Sequence, residues 1–600
     1  MPPLPQPSRR VRILSSSLGL VSALLLAAPA FADEYYVAPT GDDANPGTQD
    51  QPFGSLTKTN DIVKAGDTVW IRGGTYSVVT PANSGAGIAL TKSGSSDTMR
   101  IKYWAYQGET PVFDFSGLKI STSGYTHGIV VSGNWVHLKG LEIANVPMNQ
   151  YSNNGISASG SNNVFELLNM HHNSGNGIFI NGGNGGNLIL NCDAHDNYDA
   201  TSNQGDGQNA DGFGVHYQKS GPSTIVRGCR AWWNSDDGYD LINQEVSVTI
   251  ENSWAMGNGY IDSGMARPKD GNGNGFKAGS SKTGVRHTIQ NCLAWGNVAT
   301  GFYANHSSGG NDWFNNTSYK NGTQYNMLAS DPNDSSTMII LMGDKVHHMR
   351  NNIGYPNKNT NMDGVDTMFN TWDLSITPTD SDFVSVSDKA FMGPRQADGS
   401  LPDIDFMKLS AQSRMIDKGT DVGLPYAGAA PDLGCYETGL PSGGTDGSGG
   451  SSGGGAGGAA TAGTGTGGSK PGNGGAAGRM GMGLSGAPGN GAGAGGSGAG
   501  GAAVAGSATG GSSDGNASGG GTGGSAAGNG ATASGDAGAP SGGTSGTAAS
   551  GGASASNASD SGGCGCRTAP RGRGTFGGVF ALAGLAAFVA RRRRAASTTR

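Results

Sequence analysis

The chain has 600 residues, of which 109 are glycine and only 14% are charged. Its 38 basic and 45 acidic side chains give a net charge of −7, which argues against a nucleic-acid binder held by a basic surface. That charge still admits an acidic polymer as partner, because a bound cation reverses the local field. Six cysteines without any Cys/His spacing typical of zinc exclude a zinc module.

At the N-terminus Arg9, Arg10 and Arg12 precede an apolar run from Ile13 to Leu26 and then Ala30-Phe31-Ala32. This order predicts a secretory signal over 1–32, cut before Asp33. Residues 33–438 have the composition of a globular body.

Within that body an asparagine recurs at Asn173, Asn197, Asn234, Asn258, Asn297 and Asn321, at intervals of 24, 37, 24, 39 and 24 residues. A repeat near 24 residues is too short to bury its own apolar face, so successive copies must stack. Before the asparagines lie β-rich runs such as Leu188–Cys192, Thr224–Cys229, Val248–Ser253 and Thr288–Cys292. After them come Gly177, Gly212, Gly238, Gly275 and Gly301, each opening a stretch of alternating apolar residues. Short alternating strands punctuated by Gly and Asn at a fixed period predict an all-β solenoid, a parallel β-helix.

The register assigns directions. Ile178, Phe213, Tyr239, Phe276 and Phe302 form one inward column, and Ile180, Val215, Leu241, Ala278 and Ala304 form another. Between them Phe179, Gly214, Asp240, Lys277 and Tyr303 must point outward, which puts Asp240 beside Lys277 about 4.8 Å apart along the stack. The residues before the glycines form a further column, Asn176, Asp211, Asp237, Asn274 and Thr300, with Asp236 one step back. Two insertions, roughly 198–209 and 259–273, flank the Asp-Asp-Gly-Tyr-Asp coil on either side. Insertions on one face of a solenoid usually build a binding surface. Four carboxylates and a lysine gathered there predict a Ca²⁺ site with an adjacent base. Alone, Asp236–Asp240 would be an ordinary acidic turn and Lys277 a solvated lysine; the joint register favours the site.

Cys192, Cys229 and Cys292 occupy equivalent places, which fits either an inward stack of small residues or a Cys192–Cys229 disulfide. Residues 439–563 are Gly, Ala, Ser and Thr with scarcely an apolar side chain, which predicts a disordered linker. Residues 564–600 hold Cys564 and Cys566, an apolar run from Phe576 to Ala590 and then Arg591 to Arg594. Fifteen apolar residues are few for a stable span, which needs about 20, so a sorting signal fits better than a plain membrane anchor.

At these residues the chain resembles the family 9 polysaccharide lyases, best known as secreted pectate lyases. The resemblance covers about 33–437 and is carried by Asn209–Phe213, Ser235–Asp240 and Gly273–Lys277. Asn315–Gly322 is also similar to the family, while Tyr35–Asp43, Ala65–Tyr76 and Pro431–Glu437 are shared by many secreted β-helix proteins. The resemblance implies a right-handed parallel β-helix, a Ca²⁺ held by Asp211, Asp236, Asp237 and Asp240, and Lys277 as the base. The last segment resembles myxobacterial C-terminal sorting signals, which implies modification at Cys564 or Cys566 and retention at the outer membrane or cell surface. The protein is expected to be secreted and monomeric.

The residue types suit that chemistry. The C5 proton of a uronate is α to a carboxylate, and its removal builds negative charge that a cation must offset. Four carboxylates exceed what one Ca²⁺ neutralises, which leaves room for a second cation carried in with substrate. The base must be neutral, and lysine ordinarily titrates near ~10.4, so an alkaline optimum is expected. Arg267, Lys269, Lys282 and Arg286 are candidates for substrate carboxylates, and Trp232, Trp233, Trp254 and Trp295 for either sugar stacking or packing. The expected partner is pectate, with a rhamnogalacturonan backbone next. A uronate epimerase would share the proton abstraction but yield no unsaturated product. A Ca²⁺-dependent surface adhesin would have no need of Lys277.

Overall fold

A computed structural model of the protein describes residues 32–440, with 84 and 204 set aside. The predicted signal, linker and C-terminal sorting segments lie outside the described residues, apart from their edges at 32, 439 and 440. Among the described residues no helix is long and apolar enough to cross a membrane.

The body is a right-handed parallel β-helix of three long sheets, one of 12 strands and two of 10, each pairing in parallel with the coil before and after. One coil runs Leu188–Leu190, Asp193–His195 and Phe213–His216, and the next runs Thr224–Arg227, Arg230–Trp232 and Tyr239–Asp240. Each coil has a third strand, such as Asp193–His195, between the β-rich run and the recurring asparagine. The β-rich run before each asparagine is broken by one residue in the left-handed region, such as Asn191 (φ 54°), Asn252 (φ 48°) or Asn291 (φ 53°). Asparagine tolerates that conformation, so a single residue turns the corner from one sheet to the next.

The recurring asparagines form a buried ladder. Asn173 Nδ2 donates to Asn197 Oδ1 at 3.1 Å, Asn197 to Asn234 at 2.8 Å, Asn234 to Asn258 at 3.0 Å, Asn258 to Asn297 at 2.9 Å and Asn297 to Asn321 at 2.8 Å. Each amide thereby satisfies polar groups that a tight buried turn would leave bare. Cys192, Cys229 and Cys292 are buried free thiols, so the inward stack prevails over the disulfide. Beside them Phe213, Tyr239, Phe276, Phe302 and Tyr325 stack with ring centroids 4.6–5.1 Å apart. Each ring so buried contributes about 1.5–3 kcal/mol relative to exposure.

A helix, Leu56–Ile62, adds Leu56 to the core at the N-terminal end, and the Ser55 side chain caps it by accepting from Lys58 N. At the other end an irregular segment from Phe383 to Leu433 covers the outside of the sheet that contains Arg230–Trp232, Trp254–Met256 and Leu293–Trp295. Trp232, Trp254 and Trp295 are buried beneath it, and Trp233 packs edge-on against Phe391. Trp232, Trp254 and Trp295 therefore pack out of reach of a sugar, while Trp233 is partly exposed. Arg395 and Arg230 both pair with Asp193, at 2.6 and 2.7 Å, which ties the segment to the coils.

Candidate active site

The site lies on the outer face of the sheet that contains Phe213–His216, Tyr239–Asp240 and Phe276–Lys277. Its register is Phe213 opposite Tyr239 opposite Phe276, with Gly214, Asp240 and Lys277 in the alternate outward column. The preceding glycines are forced by the close approach of coils. A Cβ on Gly238 would meet Gly275 O at 2.7 Å, and one on Gly275 would meet Gly301 O at 2.7 Å. The glycine thus brings the coils together, and the acidic residue just before it is set at the sheet's edge.

Asp211, Asp236, Asp237, Asp240 and Lys277 come together, and each is 5% exposed or less. Lys277 Nζ is 2.9 Å from Asp237 Oδ2 and 3.1 Å from Asp240 Oδ2. Asp237 Oδ1 accepts from the backbone and side-chain amides of Asn274 at 2.7 and 2.8 Å. Asp236 Oδ1 accepts from Asn272 N at 2.7 Å, and Asp211 Oδ1 from Asp237 N at 3.1 Å. The two insertions touch each other beside the cluster, where Asp206 N donates to Asp270 Oδ2 and Asp270 N to Asp206 O.

Four buried carboxylates against one ammonium leave an excess of negative charge out of water. Burial, then the charges of Asp240 and Asp237, push the Asp211 carboxyl well up; burial, then Asp237 and Asp211, do the same to Asp236. Burial also raises Asp237, although Lys277 opposes it. Asp240 is the exception: burial would raise it, but Lys277 and His216 outweigh burial and hold it down. Neighbouring Asp199, on the first insertion, is pushed up to about 6 by burial.

The donor set fits a hard divalent cation. Oxygen atoms of Asp211, Asp236 and Asp237 lie within 4.8 Å of one another, and Ca²⁺ spans oxygen ligands roughly 5 Å apart across the ion. Asp240 Oδ1 is buried without a hydrogen-bond partner among the described residues, and an acceptor so placed suits a cation.

The four candidate cations for substrate divide. Arg267 and Lys269 are exposed on the second insertion and Lys282 is exposed beyond Lys277, and among the described residues none of the three forms an ion pair. Arg286 is committed elsewhere. It donates to Asp312 Oδ1 at 2.7 Å and to the carbonyls of Asp344 and Val346 at 2.7 and 2.8 Å, so its role is to fasten a loop. The sequence reading missed His216, whose Nε2 is 3.6 Å from Asp240 Oδ2, and placed Asn274 in the column without giving it its role, which is to hold Asp237. His216 was within reach of the pattern: it follows Phe213 by three, so alternation points it outward.

Against known proteins, residues 35–359 match the family described as Pel9A-like, right handed beta helix region. The chain is 37% identical over 407 residues to pectate lyase L of Dickeya dadantii, an alignment covering 67% of this chain and 90% of that protein. It is 30% identical over 441 residues to pectate lyase PEL9 of Emericella nidulans, covering 68% and 99% respectively. The crystal structure of pectate lyase Pel9A superposes with a TM-score of 0.57 at 36% identity, over 68% of this chain and 96% of that one. A solved rhamnogalacturonan lyase superposes with a TM-score of 0.56 at 32% identity, over 63% and 97%. The chain belongs to the Pel9A-like right-handed β-helix family and is a pectate lyase-like polysaccharide lyase.

Proposed function

We propose that the protein is a Ca²⁺-dependent lyase that cleaves a galacturonate-containing polysaccharide, pectate first, by β-elimination with Lys277 as the base. The observation that carries this reading is the amine of Lys277 set between Asp237 and Asp240 inside a buried carboxylate cluster. Asp211, Asp236, Asp237 and Asp240 would hold the ion. When bound, Ca²⁺ supplies positive charge against the uronate carboxylate as C5 loses its proton.

The chain's own residues do the rest. Asp237 and Asp240 fix the position of Nζ, and the coil beneath fixes theirs through Asn274. At alkaline pH water takes up the ammonium proton of Lys277, and the neutral amine then takes the C5 proton. The C5–H electron pair becomes the C4–C5 double bond, the C4–O bond breaks, and water protonates the departing sugar oxygen. Arg267 and Lys269, exposed on the second insertion, and Lys282, exposed beyond Lys277, would meet carboxylates of neighbouring sugar units. The catalytic body is 33–438, exported by 1–32, carried on the linker 439–563 and retained at the cell surface through 564–600, acting as a monomer.

The test is the mature protein on polygalacturonate with Ca²⁺ or with chelator, following ultraviolet absorbance of the unsaturated product. The reading expects growth with Ca²⁺ that chelator abolishes. Absence of absorbance with altered sugar stereochemistry would replace it with an epimerase. The similarity to a rhamnogalacturonan lyase supports a second substrate reading, a rhamnogalacturonan backbone. The ratio of rates on the two polymers decides between them.

A further inference from the structure

Two groups of buried ligand atoms meet at Asp211. One is Asp211, Asp236 and Asp237; the other is Asp211, His216 and Asp240, and in each the ligand atoms lie within 4.8 Å of one another. The first offers only oxygen. The second offers two carboxylates and an imidazole nitrogen, a donor set of different character.

His216 is built into this place. It ends the strand Phe213–His216 and is 8% exposed. Its ring is held edge-on by Phe179 at 4.9 Å and Tyr217 at 5.5 Å. Nε2 is buried with no hydrogen-bond partner among the described residues, and Asp240 Oδ2 stands just out of reach at 3.6 Å. Asp240 Oδ1 is also buried and unmatched. Two bare polar atoms at one buried spot are costly unless a ligand joins them.

We propose that Asp211, His216 and Asp240 form a second cation subsite that prefers a borderline divalent ion such as Ni²⁺ or Co²⁺ to Ca²⁺. Imidazole suits such ions, whereas Ca²⁺ prefers an all-oxygen set like Asp211, Asp236 and Asp237. The ring orientation is fixed by packing, so the nitrogen is pre-positioned. The inference extends the reading of the same site as a Ca²⁺ centre. Asp211 and Asp240 both belong to the Ca²⁺ set as well, so filling one subsite draws on ligands of the other.

The test is calorimetric titration of the untagged mature protein with Ni²⁺ and, separately, with Ca²⁺, comparing wild type with His216→Gln. The glutamine is close in size and keeps the fold, which circular dichroism checks. The difference between the two proteins removes any Ni²⁺ bound elsewhere, including at His171, His172 and His195. The expected result is loss of one Ni²⁺ per chain, or a fall in its affinity of at least about tenfold, the scale on which even outer partners of a metal ligand act. Ca²⁺ affinity falls far less, because His216 reaches that ion only through Asp240. Equal Ni²⁺ binding by both proteins overturns the proposal, and so does an equal loss of Ni²⁺ and Ca²⁺, which would make His216 a mere support for Asp240. Failure of Ca²⁺ to bind wild type would instead sink the Ca²⁺ reading while leaving the Ni²⁺ comparison intact.

Discussion

On the coils that contain Phe213, Tyr239 and Phe276, the inner and outer positions of the same strands follow opposite rules. Inside, aromatic lies on aromatic, with rings 5.0 and 4.6 Å apart and nearly parallel, and asparagine lies on asparagine one turn away. Outside, the register that stacks those rings places Gly214, Asp240 and Lys277 in succession, and no two are alike. Repetition inside fixes the spacing of the coils. That spacing lets single, unrepeated side chains outside meet at hydrogen-bond distance. The outer cluster is also where the protein leaves charge poorly matched, and it can do so because the inner stack is strong.

The comparison can be broken first from the inside. Phe276→Ala removes the ring between Tyr239 and Phe302 and should cost about 3–5 kcal/mol in denaturant unfolding. A loss below 1 kcal/mol, roughly that of an ordinary surface change, would mean the stack does not set the coil spacing.

The outside can be relieved instead. Burial raises Asp199 from 3.8 to about 6, which corresponds to about 3 kcal/mol. For a carboxyl raised in the folded state, stability is full below the unfolded value and is lost as pH rises through the folded one. Asp199→Asn should therefore gain on wild type between about pH 4 and pH 6, by up to that amount. Melts at the two ends of this window check it; an offset independent of pH would contradict the assignment.

Next is the ladder. Asn258→Ala strips the acceptor for Asn234 and the donor to Asn297, at an expected cost of about 2 kcal/mol. Chemical denaturation measures it, and a neutral result would show that other groups satisfy the ladder. The smallest effect belongs to the exposed cations. Arg267→Ala should raise KM by less than about tenfold with kcat unchanged, as befits a solvated ion pair. A fall in kcat would place Arg267 closer to the reacting atoms.

Much of this was legible in the sequence because the inner residues repeat. The intervals between Asn173 and Asn321 alone bring Asp211, Asp237, Asp240 and Lys277 onto adjacent coils, where the structure has them. What a one-dimensional repeat conceals is the corner. Asn191 and its equivalents turn the chain by a single left-handed residue, so the short strand after each corner, such as Asp193–His195, falls outside the β-rich runs. Nor does a repeat reveal partners far along the chain. Trp232 and Trp295 lie under Phe391 and Phe406, and Arg286 is held by Asp312 and by the carbonyls of Asp344 and Val346. His216 was missed because its meaning depends on Asp240, which sits on another coil.

The central claim is that Lys277 takes the proton and the surrounding carboxylates hold the cation. Lys277→Ala tests both when one preparation is assayed for unsaturated product and titrated calorimetrically with Ca²⁺. The account predicts a rate reduced by at least about 10²-fold, the usual worth of a positioned base, with Ca²⁺ still bound. Cleavage at the wild-type rate would contradict it.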